Sequence, residues 1–136
     1  MKIKIKELIP IMESLNTLNK KELPFGTSFK IARAIKLLAT DYETAMEKRK
    51  EIINKYGAKD DKGELKIESN GTILPMPDKQ EVWNTELKEL FDVEVEVDLK
   101  PIKLSEFEFK DENRQTTVEP KDLVPLIDLL IEDDIK

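Results

Sequence analysis

Between about residues 28 and 56, apolar side chains return at alternating steps of four and three. Ile31, Ile35, Leu38, Tyr42, Ala45, Ile52 and Tyr56 form this stripe, and Arg49 fills its one gap. Such spacing places the residues on one face of an α-helix. Leu37, Met46 and Ile53 widen the stripe beyond a bare coiled-coil seam, so it predicts a core helix first. Thr27 or Ser28 is the expected N-cap, and Gly57 the expected left-handed stop, with Lys55 in the last turn. At about 1.5 Å per residue such a helix is roughly 43 Å long. One short neighbour cannot cover it.

The flanking patterns supply that cover. Lys2-Ile3-Lys4-Ile5 alternates as a short strand, and Leu8, Ile11, Met12, Leu15 and Leu18 give a helix from Glu7 to about Lys20. Pro10 is then expected in that helix's first turn, where amides have no acceptor within the helix. Residues 21–27, with Pro24 and Gly26, read as a turn, and so do 59–63. Glu64–Glu68 reads as a strand returning through Asn70-Gly71 towards Thr72–Leu74. From Asp78, the residues Val82, Trp83, Leu87, Leu90 and Phe91 predict a helix with Trp83, like Tyr42, facing the core. Val93, Val95, Val97 and Leu99 alternate with Glu94, Glu96 and Asp98, a half-buried strand with an acidic outer face. Ile102, Leu104, Phe107 and Phe109 suggest a further strand or turn of helix. Residues 110–117 read as a loop, and Glu119 opens a last helix through Leu123, Ile127 and Leu130 to an acidic end at 132–134. The expected architecture is α+β: one long central helix, two or three shorter helices and a small, mainly antiparallel sheet in a single domain, residues 1–136.

Lys6–Leu15 also echoes Lys121–Leu130, with a proline at the same place in each. The similarity suits either an internal repeat or two amphipathic helices shaped by the same physics.

Composition narrows the chemistry. The 136 residues contain no cysteine and no histidine. Disulfides, thiolate catalysis, cysteine or histidine metal sites and histidine-assisted nucleophiles are therefore excluded. No glycine-rich phosphate loop is present, and Asp60-Asp61-Lys62-Gly63-Glu64 lacks the ligand spacing of a calcium loop. No cofactor is implied. The net charge of −6 disfavours direct nucleic-acid binding, which wants a basic face. The N-terminus lacks the apolar run of a signal peptide and no segment reaches membrane-span length, which predicts a cytoplasmic protein.

Two charged groupings are candidate partner-binding sites. Glu94, Glu96 and Asp98 stand on one strand face about 7 Å apart, with Glu106, Glu108, Asp111 and Glu112 following. Such a row could serve a basic protein, a divalent cation or imitation of phosphates, but reads first as a plain solvated strand face, because metal sites draw carboxylates from different elements. Lys30, Arg33 and Lys36 form a basic ridge at the start of the long helix, suited to an acidic partner or a nucleic-acid backbone, or to ordinary pairing with neighbouring acidic elements of the chain.

Thr27–Leu38, the charged Glu47–Glu51, Lys55-Tyr56-Gly57, the valine–acid strand and the helix start Glu119–Leu123 resemble small, uncharacterised phage and prophage proteins of Gram-positive bacteria. The resemblance spans most of the chain. It implies origin in a mobile element and a binding role, in the host cytoplasm or the virion, and brings no catalytic residues. Three function classes follow. The first is a non-enzymatic interaction protein, such as an acidic inhibitor of a host defence or nucleic-acid-processing protein. The second is a virion accessory, connector or assembly protein that forms a homo-oligomer. The third is an enzyme using carboxylates and magnesium.

Overall fold

A computed structural model describes residues 1–109, 118–127 and 130–132. Its longest element is the helix α2, Phe25–Tyr56. It follows β1, Lys2–Lys4, and α1, Ile5–Asn19. After it come α3, Gln80–Phe91, β2, Glu94–Glu96, and β3, Ile102–Lys103. The four-residue helix α4, Pro120–Leu123, and β4, Ile131–Glu132, complete the series. The class is α+β, as the patterning predicts.

The sheet is smaller and more divided than one continuous antiparallel sheet. β1 pairs antiparallel with β2, setting Lys2 opposite Glu96, Ile3 opposite Val95 and Lys4 opposite Glu94. β3 pairs with β4 in parallel as a separate ribbon. The expected hairpin at 64–74 is reduced to single antiparallel bridges, Lys59 with Leu65 and Ile67 with Ile73. Its turn keeps Gly71 at φ +84°, a backbone region open to glycine but strained for other residues.

The core is one cluster around α1. Leu8, Leu15 and Leu18 of α1 pack with Ile31 and Leu38 of α2, and Ile102 and Leu126 close the cluster from the C-terminal part of the chain. α1 starts earlier than expected, so Pro10 lies in its second turn and removes a backbone bond to the Lys6 carbonyl. The buried leucines on either side outweigh that loss. α2 also starts early. Pro24 is its N-cap, and the Ser28 N–H donates to the Pro24 carbonyl at 2.9 Å. Thr27 is not the cap. It is buried, and its hydroxyl donates to the Glu106 carbonyl, fastening the 3-10 turn Leu104–Phe107 to the start of α2.

Gly57 ends α2 without a left-handed residue, since its φ is −69° and its ψ 146°. Glycine is required there by crowding. A Cβ would lie 2.5 Å from the Ile53 carbonyl oxygen and 2.9 Å from a Leu65 methyl. Trp83 is half-buried and lies outside the main core cluster, whereas Tyr42 packs against it.

The last helix is short and broken. α4 ends at Leu123, Pro125 sits in a 3-10 turn at Val124–Leu126, and buried Leu130 follows outside any helix. Residues 6–15, by contrast, lie within continuous α1. The described part of the second segment therefore takes a different shape from the first, and its α4 and 3-10 turn pack against α1. The expected loop at 110–117, with Asp111 and Glu112, and the acidic Asp133-Asp134 lie outside the described residues. Among those described, no helix is long and apolar enough to cross a membrane.

Candidate functional site

The first turns of α2 carry three large exposed apolar side chains, Phe25, Phe29 and Leu37, of which the last two border a groove. Phe29 is 60 % exposed and Leu37 is 54 % exposed. The stripe predicts Leu37 to be inside, but it is exposed, and Ile31, Ala34 and Leu38 form the buried face of this part of the helix. Phe29 and Leu37 flank a groove of about 450 Å³ between α2 and the chain that runs on from β2. Its floor is apolar and buried: Ala34, Leu38, Val97 and Leu130. Half-buried Leu99 stands on the wall opposite the helix.

Charge of both signs rims this apolar floor. Lys30 and Arg33 line the helical side, and Glu96, Asp98 and Lys100 line the other. Two elements read separately from the sequence, the basic ridge and the acidic strand, thus meet at one groove. Lys36 and Glu94 are exposed and lie outside the lining.

Lys30 has a partner within the chain, since its ammonium group pairs with the Glu106 carboxylate. This hydrogen bond, with that from the Lys103 N–H, holds the Glu106 carboxyl below the usual carboxylate range. Lys30 therefore serves first to seat the 3-10 turn at the end of the groove. Arg33 is exposed at the rim. The carboxylates of β2 are balanced as well. The pairing sets Lys2 and Lys4 across from Glu96 and Glu94, and the Met1 amino group donates to Glu96 at 2.8 Å. The strand's outer face is acidic, but the ribbon's outer face is mixed.

A buried carboxylate, Asp122, lies elsewhere. It accepts from Lys21 at 2.9 Å and from the Glu119 N–H at 2.9 Å, and these bonds hold its pKa down. It ties α4 to the turn between α1 and α2. Among the described residues, no three acidic side chains converge as a metal site would need. The groove's chemistry is contact: an apolar floor, two exposed apolar flanks and a rim of both signs.

Sequence reasoning missed Phe29, Leu37, Leu99 and Leu130 as groove residues. For Phe29 a signal existed, since it lies off the stripe, whereas Leu37 reads as part of the widened stripe and gave none. Leu99 and Leu130 reach the groove through long-range packing, which leaves no local trace. No family model, curated protein or solved structure matches the chain.

Proposed function

We propose that this chain is a non-catalytic, phage-encoded protein-interaction protein that takes a partner protein in the groove between α2 and the β2–β3 connection. The observation that carries this reading is the placement of Phe29 and Leu37. Both are more than half exposed, and both border a concave, apolar-floored surface. Scattered exposed apolar residues need no explanation, whereas a pair converging on one groove marks a contact surface. A central apolar anchor ringed by charge is the arrangement by which protein interfaces combine affinity with specificity. The mobile-element origin rests on the sequence resemblance alone. Within it, an inhibitor of a host defence or nucleic-acid-processing protein fits a chain of net charge −6, which suits a basic target.

A virion accessory or assembly role is the second reading. The same apolar flanks favour it, because a groove of this kind also serves contact between like subunits.

A photo-crosslinking amino acid at position 37 tests both, with position 50 on the exposed distal part of α2 as control. The expected result in infected or lysogenic cells is a crosslink to one basic protein from position 37 and none from position 50. Leu37 crosslinks confined to copies of the chain itself would move the assignment to assembly. Equal crosslinking from both positions would end the groove reading.

A further inference from the structure

The β1–β2 ribbon has one covered edge and one open edge. The Ile5 N–H donates to the Val93 carbonyl at 2.9 Å, and the Val97 N–H donates to the Met1 carbonyl at 2.8 Å. Bonded pairs in an antiparallel ladder recur at every second residue, so Ile3 and Val95 are the pair between these two. Glu94 and Glu96 consequently turn their N–H and C=O groups away from β1. Among the described residues, no strand and no other hydrogen-bonding group takes them. The other edge differs. The Lys4 N–H is held by the Glu7 carboxylate at 3.3 Å, and the chain passes straight into α1.

The open edge leads into the groove, whose wall begins at Glu96 and continues through Lys100. β1 shows which kind of strand β2 accepts. Lysines stand opposite the glutamates on the outer face, and isoleucine stands opposite valine on the inner face. A strand added to the other edge of β2 shares those two faces. Its outer residues meet carboxylates and its inner residues meet the apolar groove. Opposite charges across strands stabilise pairing and like charges oppose it, so the acidic edge rejects a second copy of itself.

The geometry points to β-strand addition: an extended partner segment of alternating basic and apolar residues pairs with the open edge of Glu94–Glu96 and lays its apolar side chains between Leu99 and the Phe29–Leu37 flank. This assignment rests on the groove reading above and names the chemistry of the partner that the groove selects. Backbone bonds supply the attachment, the carboxylates supply the choice of a basic strand, and the groove fixes the register.

The probe is a synthetic peptide of three Lys-Ile repeats with a Gly-Ser tail, titrated into the full ¹⁵N-labelled chain. The expected result is a shift and slowed hydrogen exchange at the Glu94 and Glu96 amides. Binding should be about tenfold weaker, or less, for a Glu-Ile peptide of the same length. A Lys-Ile peptide N-methylated on the residues that face the edge should lose at least as much. Equal binding of the lysine and glutamate peptides, or of the methylated and parent peptides, overturns the proposal. Shifts at Ile3 and Ile5 instead mean that the probe has displaced β1, which also overturns it. Glu96→Lys keeps the backbone but leaves Glu94 as the one carboxylate on the edge, so it should remove most of the preference for the Lys-Ile peptide, and an unchanged preference counts against the assignment. If no peptide binds while position 37 still crosslinks a partner, strand addition is wrong and the groove reading stands. If position 37 crosslinks nothing, both fall.

Discussion

The two halves of α2 carry one continuous stripe and meet very different surroundings. From Phe25 to Ala45 the helix buries Thr27, Ile31, Ala34, Leu38 and Ala45, and from Met46 onward it buries Tyr56 alone. The apolar period does not fail in the second half, where Ile52 and Ile53 are half-buried. The cover changes instead. The first half lies against α1, which buries Leu8, Leu15 and Leu18 completely. The second half meets α3 at Tyr56, whose hydroxyl donates to Glu86; no residue of α3 is fully buried, and the helix leads into the 57–76 arm, where Ile67 and Leu74 are more than half exposed. A periodic stripe therefore states which face of a helix is apolar, but not how well that face is covered. Burial free energy follows the cover, so the distal half should open at lower free energy than the half that builds the groove.

The largest expected effect breaks that comparison directly. Leu38 is 1 % exposed, and Leu38→Ala should cost about 2–5 kcal/mol through lost burial and a residual cavity. Ile52→Ala on the same stripe should cost about 1 kcal/mol, because a half-exposed side chain loses less burial and leaves no closed cavity. Urea unfolding of the two variants compares them, and equal costs would mean that the halves are equally packed.

Gly57→Ala comes next, at about 3 kcal/mol, the upper end for overpacking, because the nearest obstacle is backbone at 2.5 Å and cannot swing aside. Its loss should stay distal. Native-state hydrogen exchange should show weaker protection at Ala58, Lys66 and Glu68, whose amides bond across the arm. Amides of α1 and of the first half of α2 should be unchanged. Equal loss in both halves would mean that the molecule opens as one unit.

How much of this was legible in the sequence divides along the same line. The bodies of α1, α2, α3 and β2 follow from periodicity, because the pattern and the backbone geometry that produces it are both local. Their ends were less legible where tertiary contacts decide them. Thr27 has a capping side chain but spends it on a carbonyl 79 residues away. Gly57 stands where a helix-stopping glycine is expected, yet crowding from the arm explains it. Glu119–Leu130 has the spacing of a helix, but over its described part, 119–127, Pro125 and packing against α1 give only short turns. Of the site, the charged residues Arg33, Glu96 and Asp98 stood out as surplus charge. Their meeting at one groove did not, and neither did the lysines across from β2, since both depend on which strand β1 pairs with.

The well-covered end is also held by charge, which predicts a pH dependence. The Asp122 carboxylate is buried at 7 % exposure between Lys21 and the Glu119 amide. Its pKa is lower folded than unfolded, so its contribution is complete above the ordinary aspartate value of about 3.9 and is lost as pH falls through the folded value. Asp122→Asn should cost about 2 kcal/mol at pH 7, in the range of hydrogen bonds to charged groups. The gap between variant and parent should narrow below about pH 4 as the parent's carboxyl protonates. A gap that stays constant from pH 7 to pH 3 would show that Asp122 acts through shape and not through charge.

The smallest effect sharpens the comparison from the weakly covered side. The Tyr56 hydroxyl donates to Glu86 at 3.1 Å, joining the end of α2 to α3 where neither helix has a closed core. The ring itself is 8 % exposed, so Tyr56→Phe keeps the burial and removes only the bond. Glu86 is partly exposed, and water competes for its carboxylate, so the expected cost is about 1 kcal/mol at most. A double-mutant cycle of Tyr56→Phe with Glu86→Gln should return a small coupling confined to the opening of α3 and the arm. A coupling as large as the Asp122 effect would mean that the distal half is secured by its polar contacts. A coupling near zero would leave the half-buried flanks of Ile52, Ile53 and Leu87 as what holds it, and would make this end the first part of the chain to open.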